Sequence, residues 1–159
     1  MNNDIRKLID DNWDEIKELI AQKAEAEQKP KSIWDLKTED GEEYYVLWSD
    51  GSTGCHIFNS QDDEVLREMG NVFLTREEAE FERERRKIEA IIRKYSRPFT
   101  KQKRNYYIYY DYGFNGVVID IYHSVSDGIP YFESKEIAQK VINEIGEDRL
   151  KKYWFGITE

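Results

Sequence analysis

Cysteine, proline and glycine are scarce in this chain of 159 residues, numbering one, three and nine. The single cysteine, Cys55, rules out an internal disulfide framework and suits a reducing compartment. So few prolines and glycines leave most of the chain able to enter regular structure. No apolar run approaches the ~20 residues that span a bilayer. Met1-Asn2-Asn3-Asp4 opens without the basic start and apolar stretch of a secretory signal. These absences predict a soluble cytoplasmic protein that does not enter a membrane.

Catalytic signatures are missing too. The glycines are scattered as turn residues, with no GxGxxG and no P-loop to cradle a phosphate. Histidine is limited to His56 and His123. Cys55 and His56 are adjacent, and side chains next to each other on a strand point to opposite faces, which argues against a nucleophilic pair. Zinc requires about four ligands, or three and a water, at spacings this chain does not offer. Asp62-Asp63-Glu64 lacks the alternating oxygen ligands and central glycine of a calcium loop. The expectation is a protein with no catalytic residues, no metal and no cofactor.

Aromatic residues, by contrast, make up 14% of the chain, with eleven Tyr, seven Phe and four Trp. Large rings build a core from few side chains, so 36% charged residues need not mean disorder. The net charge of −9 is unevenly spread. Residues 1–82 hold 9 basic against 22 acidic side chains, a net of −13, and residues 83–104 hold 10 against 2, a net of +8. An acidic chain disfavours nucleic acid as a partner, yet the basic block can hold a phosphate locally.

The pattern carries an apparent doubling. Tyr44-Tyr45-Val46-Leu47-Trp48-Ser49-Asp50-Gly51 is echoed by Tyr106-Tyr107-Ile108-Tyr109-Tyr110-Asp111-Tyr112-Gly113, and Phe73-Leu74-Thr75-Arg76-Glu77-Glu78-Ala79 by Phe132-Glu133-Ser134-Lys135-Glu136-Ile137-Ala138. Recurrence in the same order about sixty residues apart marks a repeated supersecondary unit. Each copy reads strand, turn, strand, loop, helix. In the first, Asp50-Gly51 turns the hairpin, residues 60–68 form an acidic loop with room for a short helical turn, and Thr75 with Glu78 makes a capping box. In the second, Gly113 to Gly116 is the turn, Ser124 to Pro130 a loop, Ser134 a helix cap and Gly146 a helix terminator. Residues 147–155 read as one more short helix with Leu150, Tyr153 and Trp154 inward.

Ahead of these units, residues 3–28 carry Ile5, Leu8, Ile9, Trp13, Ile16, Leu19 and Ile20 at helical spacing. That stripe docks on its own domain, the reading preferred here, or pairs with a second copy in a homodimer. Trp34 is expected against a sheet edge. The fold class is therefore α+β: an N-terminal amphipathic helix (1–30), then two tandem β-hairpin-plus-helix units (31–98 and 99–159) forming one compact domain, with antiparallel sheet covered by helices on one face.

Ile33-Trp34-Asp35-Leu36-Lys37, Gly41-Glu42-Glu43-Tyr44-Tyr45 and residues 70–81 resemble small accessory proteins of phages and prophages of low-GC Gram-positive bacteria, as do residues 105–110, 131–134, 149–153 and Phe155-Gly156. The resemblance runs from about Ser32 onward. It implies a phage-encoded protein at work in the host cytoplasm, of a kind that counters host defences or redirects a host enzyme by binding it. No functional residue carries over from it.

Two features stand out as contact surfaces. Arg83, Arg85, Arg86, Lys87, Arg93, Lys94, Arg97, Lys101, Lys103 and Arg104 form a basic block. Those on the helix are expected to pair with neighbours such as Glu82 and Glu89. Lys101, Lys103 and Arg104 have no obvious counter-charge. The tyrosine strand follows at once, with Tyr106, Ile108 and Tyr110 on one face and Tyr107 and Tyr109 on the other. If helices cover the Ile108 face, Tyr107 and Tyr109, with Tyr45 or Tyr122, lie outside, either as a binding surface or as cross-strand pairs. The candidate site is therefore Lys101, Lys103, Arg104, Tyr107, Tyr109 and Tyr122. The leading expectation is a binding protein whose partner is a host defence component, with the acidic residues 1–82 able to mimic nucleic acid. The alternative is a sequestering protein for a nucleotide signal, held between Arg104 and the tyrosine face.

Overall fold

The computed structural model describes residues 12–28, 32–126 and 128–158. Its elements are α1 (Trp13–Gln28), a 3-10 turn (Ile33–Asp35), β1 (Glu43–Leu47), β2 (Thr53–Ile57), α2 (Gln61–Glu68), α3 (Arg76–Tyr95), β3 (Asn105–Asp111), β4 (Gly116–Tyr122), α4 (Lys135–Ile145), α5 (Glu147–Arg149) and a π-helical turn (Leu150–Trp154). This is mixed helix and antiparallel strand, in keeping with an α+β protein. Packing divides the chain into two compact units, Met1–Tyr44 with His56–Leu74, and Tyr45–Cys55 with Thr75–Glu159.

The strands form two separate two-stranded sheets, β1–β2 and β3–β4, and not one shared sheet. One reason lies at the free edge of β3. Tyr106 N–H donates to the Phe132 carbonyl at 3.1 Å and Phe132 N–H to the Tyr106 carbonyl at 2.7 Å, so the extended Tyr131-Phe132 segment already occupies that edge.

In the first unit, Tyr44, Phe58, Leu36 and Val72 are buried. The Tyr44 and Phe58 rings meet edge to face, 5.8 Å apart. Residues 61–68 form a full helix where a loop with room for a short helical turn was expected. The cause is a capping box: the Ser60 hydroxyl accepts from Asp63 N–H while the Asp63 carboxylate accepts from Ser60 N–H at 2.9 Å. Trp34 does not pack on a sheet edge. It stays 64% exposed, and its ring covers the Arg67 guanidinium of α2 at 5.4 Å. Arg67 in turn donates to the Leu36 carbonyl at 2.9 Å, tying the linker to α2.

On α1, Trp13, Leu19 and Ile20 remain exposed, so these members of the expected apolar stripe are not core residues. Ile5, Leu8 and Ile9 lie outside the described residues.

The second unit holds the main core: Ile88 and Ile92 of α3, Ile108 of β3, Phe132, Ala138, Val141, Ile142 and Ile145 of α4, and Leu150. Tyr106, Val117 and Ile119 pack against it from the sheet, and Tyr153 and Trp154 from the π turn. The register pairs Ile108 with Ile119, Tyr107 with Asp120 and Tyr109 with Val118. Strand alternation thus puts Tyr106, Ile108, Val117 and Ile119 inward under the helices. The caps read from sequence form here. The Thr75 hydroxyl accepts from Glu78 N–H at 3.2 Å, Ser134 accepts from Ile137 N–H at 3.3 Å, and Gly146 ends α4 at φ 91°, a conformation that suits glycine.

Candidate functional site

With its inner face committed to core, the β3–β4 hairpin turns Tyr107, Tyr109, Val118, Asp120 and Tyr122 outward. The rings are not independent. Tyr107 and Tyr109 stack with centroids 5.1 Å apart and planes 19° from parallel, and Tyr122 meets Tyr107 edge-on at 5.1 Å. Sequence reasoning missed the continuation of this row. Tyr122 lies 6.1 Å from the buried Tyr131, which meets Phe99 edge to face at 5.4 Å. Five rings, Phe99, Tyr131, Tyr122, Tyr107 and Tyr109, therefore run as one ladder. Tyr131 was legible only as a short extended residue, because its place depends on the long return of the chain to the β3 edge.

The ladder is held by polar contacts. The Tyr131 hydroxyl accepts from Ser126 N–H at 3.0 Å, and the Tyr122 and Ser126 hydroxyls bond at 2.9 Å. Burial raises the Tyr107 phenol above its ordinary pKa, and Tyr109, Asp120 and Tyr122 add to the shift. The Tyr107 hydroxyl therefore stays uncharged at neutral pH, on a row of packed rings with Asp120 beside it.

The basic block splits in two. On α3, Arg85 donates to Glu82 at 2.6 Å, Arg86 to Glu82 at 3.0 Å, Lys87 to Glu84 at 2.8 Å, and Arg93 to Glu89. Lys94 reaches Glu144 at 3.2 Å. Burial pushes the Glu82 carboxyl up, but the hydrogen bonds from Arg85 and Arg86 outweigh it and hold the group below the usual carboxylate range. Arg85, Arg86, Lys87 and Arg93 are thus paired along their own helix, as the spacing implied, while Lys94 is paired across to α4.

Lys101, Lys103 and Arg104 behave differently. All three are exposed, and among the described residues no carboxylate pairs with them. Their turn is built by Arg97. Its guanidinium donates to the Pro98 carbonyl at 3.0 Å, the Thr100 hydroxyl at 3.0 Å, the Asn105 amide oxygen at 2.8 Å and the Arg104 carbonyl at 2.9 Å. Asn105, 1% exposed, returns its amide N–H groups to the Thr100 and Lys103 carbonyls, both at 3.0 Å. Arg97 therefore spends its donors on neutral oxygens and keeps its charge. Asn105 pairs in register with Tyr122, so the cationic turn enters the sheet at the Tyr122 end of the tyrosine row.

The remaining candidates stay apart. Cys55 is exposed, and the His56 ring meets Tyr44 edge-on at 5.9 Å. Asp63 is a buried cap rather than a ligand in an open acidic loop. Among the described residues no group of three or more His, Cys, Asp or Glu side chains is placed to hold a metal ion, and no helix is long and apolar enough to cross a membrane. The chain matches no protein-family model, no curated protein and no solved structure.

Proposed function

We propose that this chain is a non-enzymatic binding protein, carried by a phage or prophage, that engages a host protein of a defence system through the outer face of β3–β4. One observation carries the reading: the stacked Tyr107–Tyr109 pair with Tyr122 edge-on beside it, on the side of the hairpin that the helices leave uncovered. Tyrosines locked against one another lose little entropy on binding and offer both apolar area and hydroxyls, the chemistry that interface centres favour. The net charge of −13 on residues 1–82 adds a means of occupying a basic groove on the partner. Under this reading the two hairpin-plus-helix stretches descend from one duplicated unit, and the second copy has kept the binding face.

Pull-down from host lysate tests it. Wild type should retain a stoichiometric partner that the Tyr107→Ala, Tyr109→Ala double variant loses. Recovery of no such partner at low and moderate salt overturns the proposal.

The second reading, capture of an anionic nucleotide signal, is favoured by the unneutralised Lys101, Lys103 and Arg104 at the end of the aromatic row. A nucleotide panel in a thermal-shift assay separates the two. A melting temperature that climbs with nucleotide concentration supports capture, and no shift with any member counts against it.

A further inference from the structure

The tip of the second hairpin is the most exposed aromatic surface among the described residues. Tyr112 is 81% and Phe114 83% exposed. This tip is a built turn. The Asp111 side chain accepts from Gly113 N–H at 2.7 Å and from Phe114 N–H at 3.0 Å, and Asn115 takes up positive φ, 52°, with its side chain bonded to the Tyr110 hydroxyl. The Tyr112 ring leans edge-on against Tyr110 at 5.1 Å. The backbone of the tip is thus fixed and the Tyr112 ring braced, which lowers the entropic cost of binding there.

Beside the tip, in the same compact unit, lies a groove of about 550 Å³ that begins at Tyr110 and Asn115 and is walled by Asp148, Lys151, Lys152 and Ile157. The tip does not fill it, since both rings stand exposed. The groove wall carries mixed charge, Asp148 with Lys151 and Lys152, and Lys151 is paired with Glu147 at 3.1 Å. Asp111 is the only charged residue from 109 to 119, and among the described residues it has no cationic partner. Among the described residues Lys152 makes no ion pair either, and its ammonium rests over the Tyr153 ring at 5.1 Å, which leaves one cation of the groove for the Asp111 of a second copy.

We propose that two copies of this chain form a two-fold dimer in which the Tyr112/Phe114 tip of each enters the groove of the other. Donor and acceptor patches share Tyr110 and Asn115, so they are neighbours on one surface, as a self-complementary two-fold contact requires. The area suffices. Four aromatic side chains bury roughly 600–1,000 Å² between them, and groove walls covered to a like extent bring the total into the range of about 1,200–2,000 Å² seen for specific interfaces. A protein partner with its own apolar cleft is the competing occupant. The second copy is favoured because the exposed tip, the neighbouring groove and an unpaired Lys152 to meet Asp111 are all on this chain.

Sedimentation velocity across a concentration series decides it. Wild type should sediment as a dimer at tens of micromolar and dissociate on dilution. Phe114→Ala removes the anchor from both halves, so the dissociation constant should rise on the order of a thousandfold. Lys152→Glu, which sets like charges against Asp111, should also weaken the dimer while leaving the circular dichroism spectrum unchanged. A Leu19→Ala, Ile20→Ala variant of α1 should dimerise as wild type does. A wild type that stays monomeric to several hundred micromolar overturns the proposal. So does a dimer indifferent to Phe114→Ala, or one abolished by the α1 substitutions. None of these outcomes bears on Tyr107 and Tyr109, so this inference and the proposed function can fail separately.

Discussion

The Tyr44 phenol donates a 2.6 Å hydrogen bond to the Asp63 carboxylate, and both groups are sealed inside the first compact unit. Asp63 also accepts from the N–H groups of Asn59 and Ser60 and from the Ser60 hydroxyl. Burial pushes this carboxyl up, but the bonds from Ser60, Tyr44 and the backbone outweigh burial and bring it to about 2. A depressed folded pKa contributes stability that is present above the unfolded value and is lost as pH falls towards 2. Urea unfolding should therefore show a stability plateau above about pH 5 and a loss on the order of 2 kcal/mol between pH 5 and pH 2. Tyr44→Phe removes one donor to a buried charge and should cost about 1–3 kcal/mol at neutral pH.

The same pair predicts an alkaline limb. Burial, followed by the bond to Asp63, holds the Tyr44 phenol far above its ordinary pKa. A raised folded pKa contributes stability that is intact below about pH 10 and is lost above it as the unfolded phenol ionises. Wild type should lose stability above pH 10 more steeply than Tyr44→Phe.

Arg97 sets the cationic turn. Arg97→Lys keeps the charge but cannot supply the fork that reaches four oxygens. Hydrogen exchange should quicken at the Thr100 amide, whose N–H donates to Asn105 at 2.9 Å, while amides of the helix core hold their protection. Global stability should fall by about 1–3 kcal/mol.

The Tyr107 phenol, raised by burial and then by Tyr109, Asp120 and Tyr122, should be among the last to ionise in an ultraviolet pH titration. Tyr107→Phe should delete that late step and leave the urea midpoint nearly unchanged, because the ring keeps its stacking.

Gly54 lies under Trp48. A Cβ at position 54 would stand 2.2 Å from the indole Nε1, so Gly54→Ala must displace the ring. Trp48 is partly exposed, so its ring can be displaced towards solvent, and the substitution should cost about 1–3 kcal/mol. The measurable sign is a large shift of one indole N–H resonance, with those of Trp13, Trp34 and Trp154 unmoved.

Legibility followed the range of the interaction. Thr75 with Glu78, Ser134 and Gly146 act within a turn of their own helices, so their roles could be read from spacing. Ser60 with Asp63 follows the same rule, and the helix over residues 61–68 was read only as a short turn within a loop because its composition is acidic. Tyr107 and Tyr109 were legible as sharing a face because strand alternation is local. That Tyr131 and Phe99 extend their row was not, since it depends on residues 131–132 returning to the β3 edge. Trp34 misled for the same reason, as nothing in its neighbours announces Arg67 thirty-three positions on.

The amino-acid order by itself determined the helix caps, the hairpin turns, the alternation of faces and the helix ion pairs, because each is settled by groups within about four residues of one another. Only the tertiary structure decided that the hairpins form separate sheets, which cations keep their charge unpaired, and that an aromatic tip stands beside an unfilled groove. Those outcomes hang on contacts that close long loops, and their free energy belongs to the packed whole rather than to any local stretch.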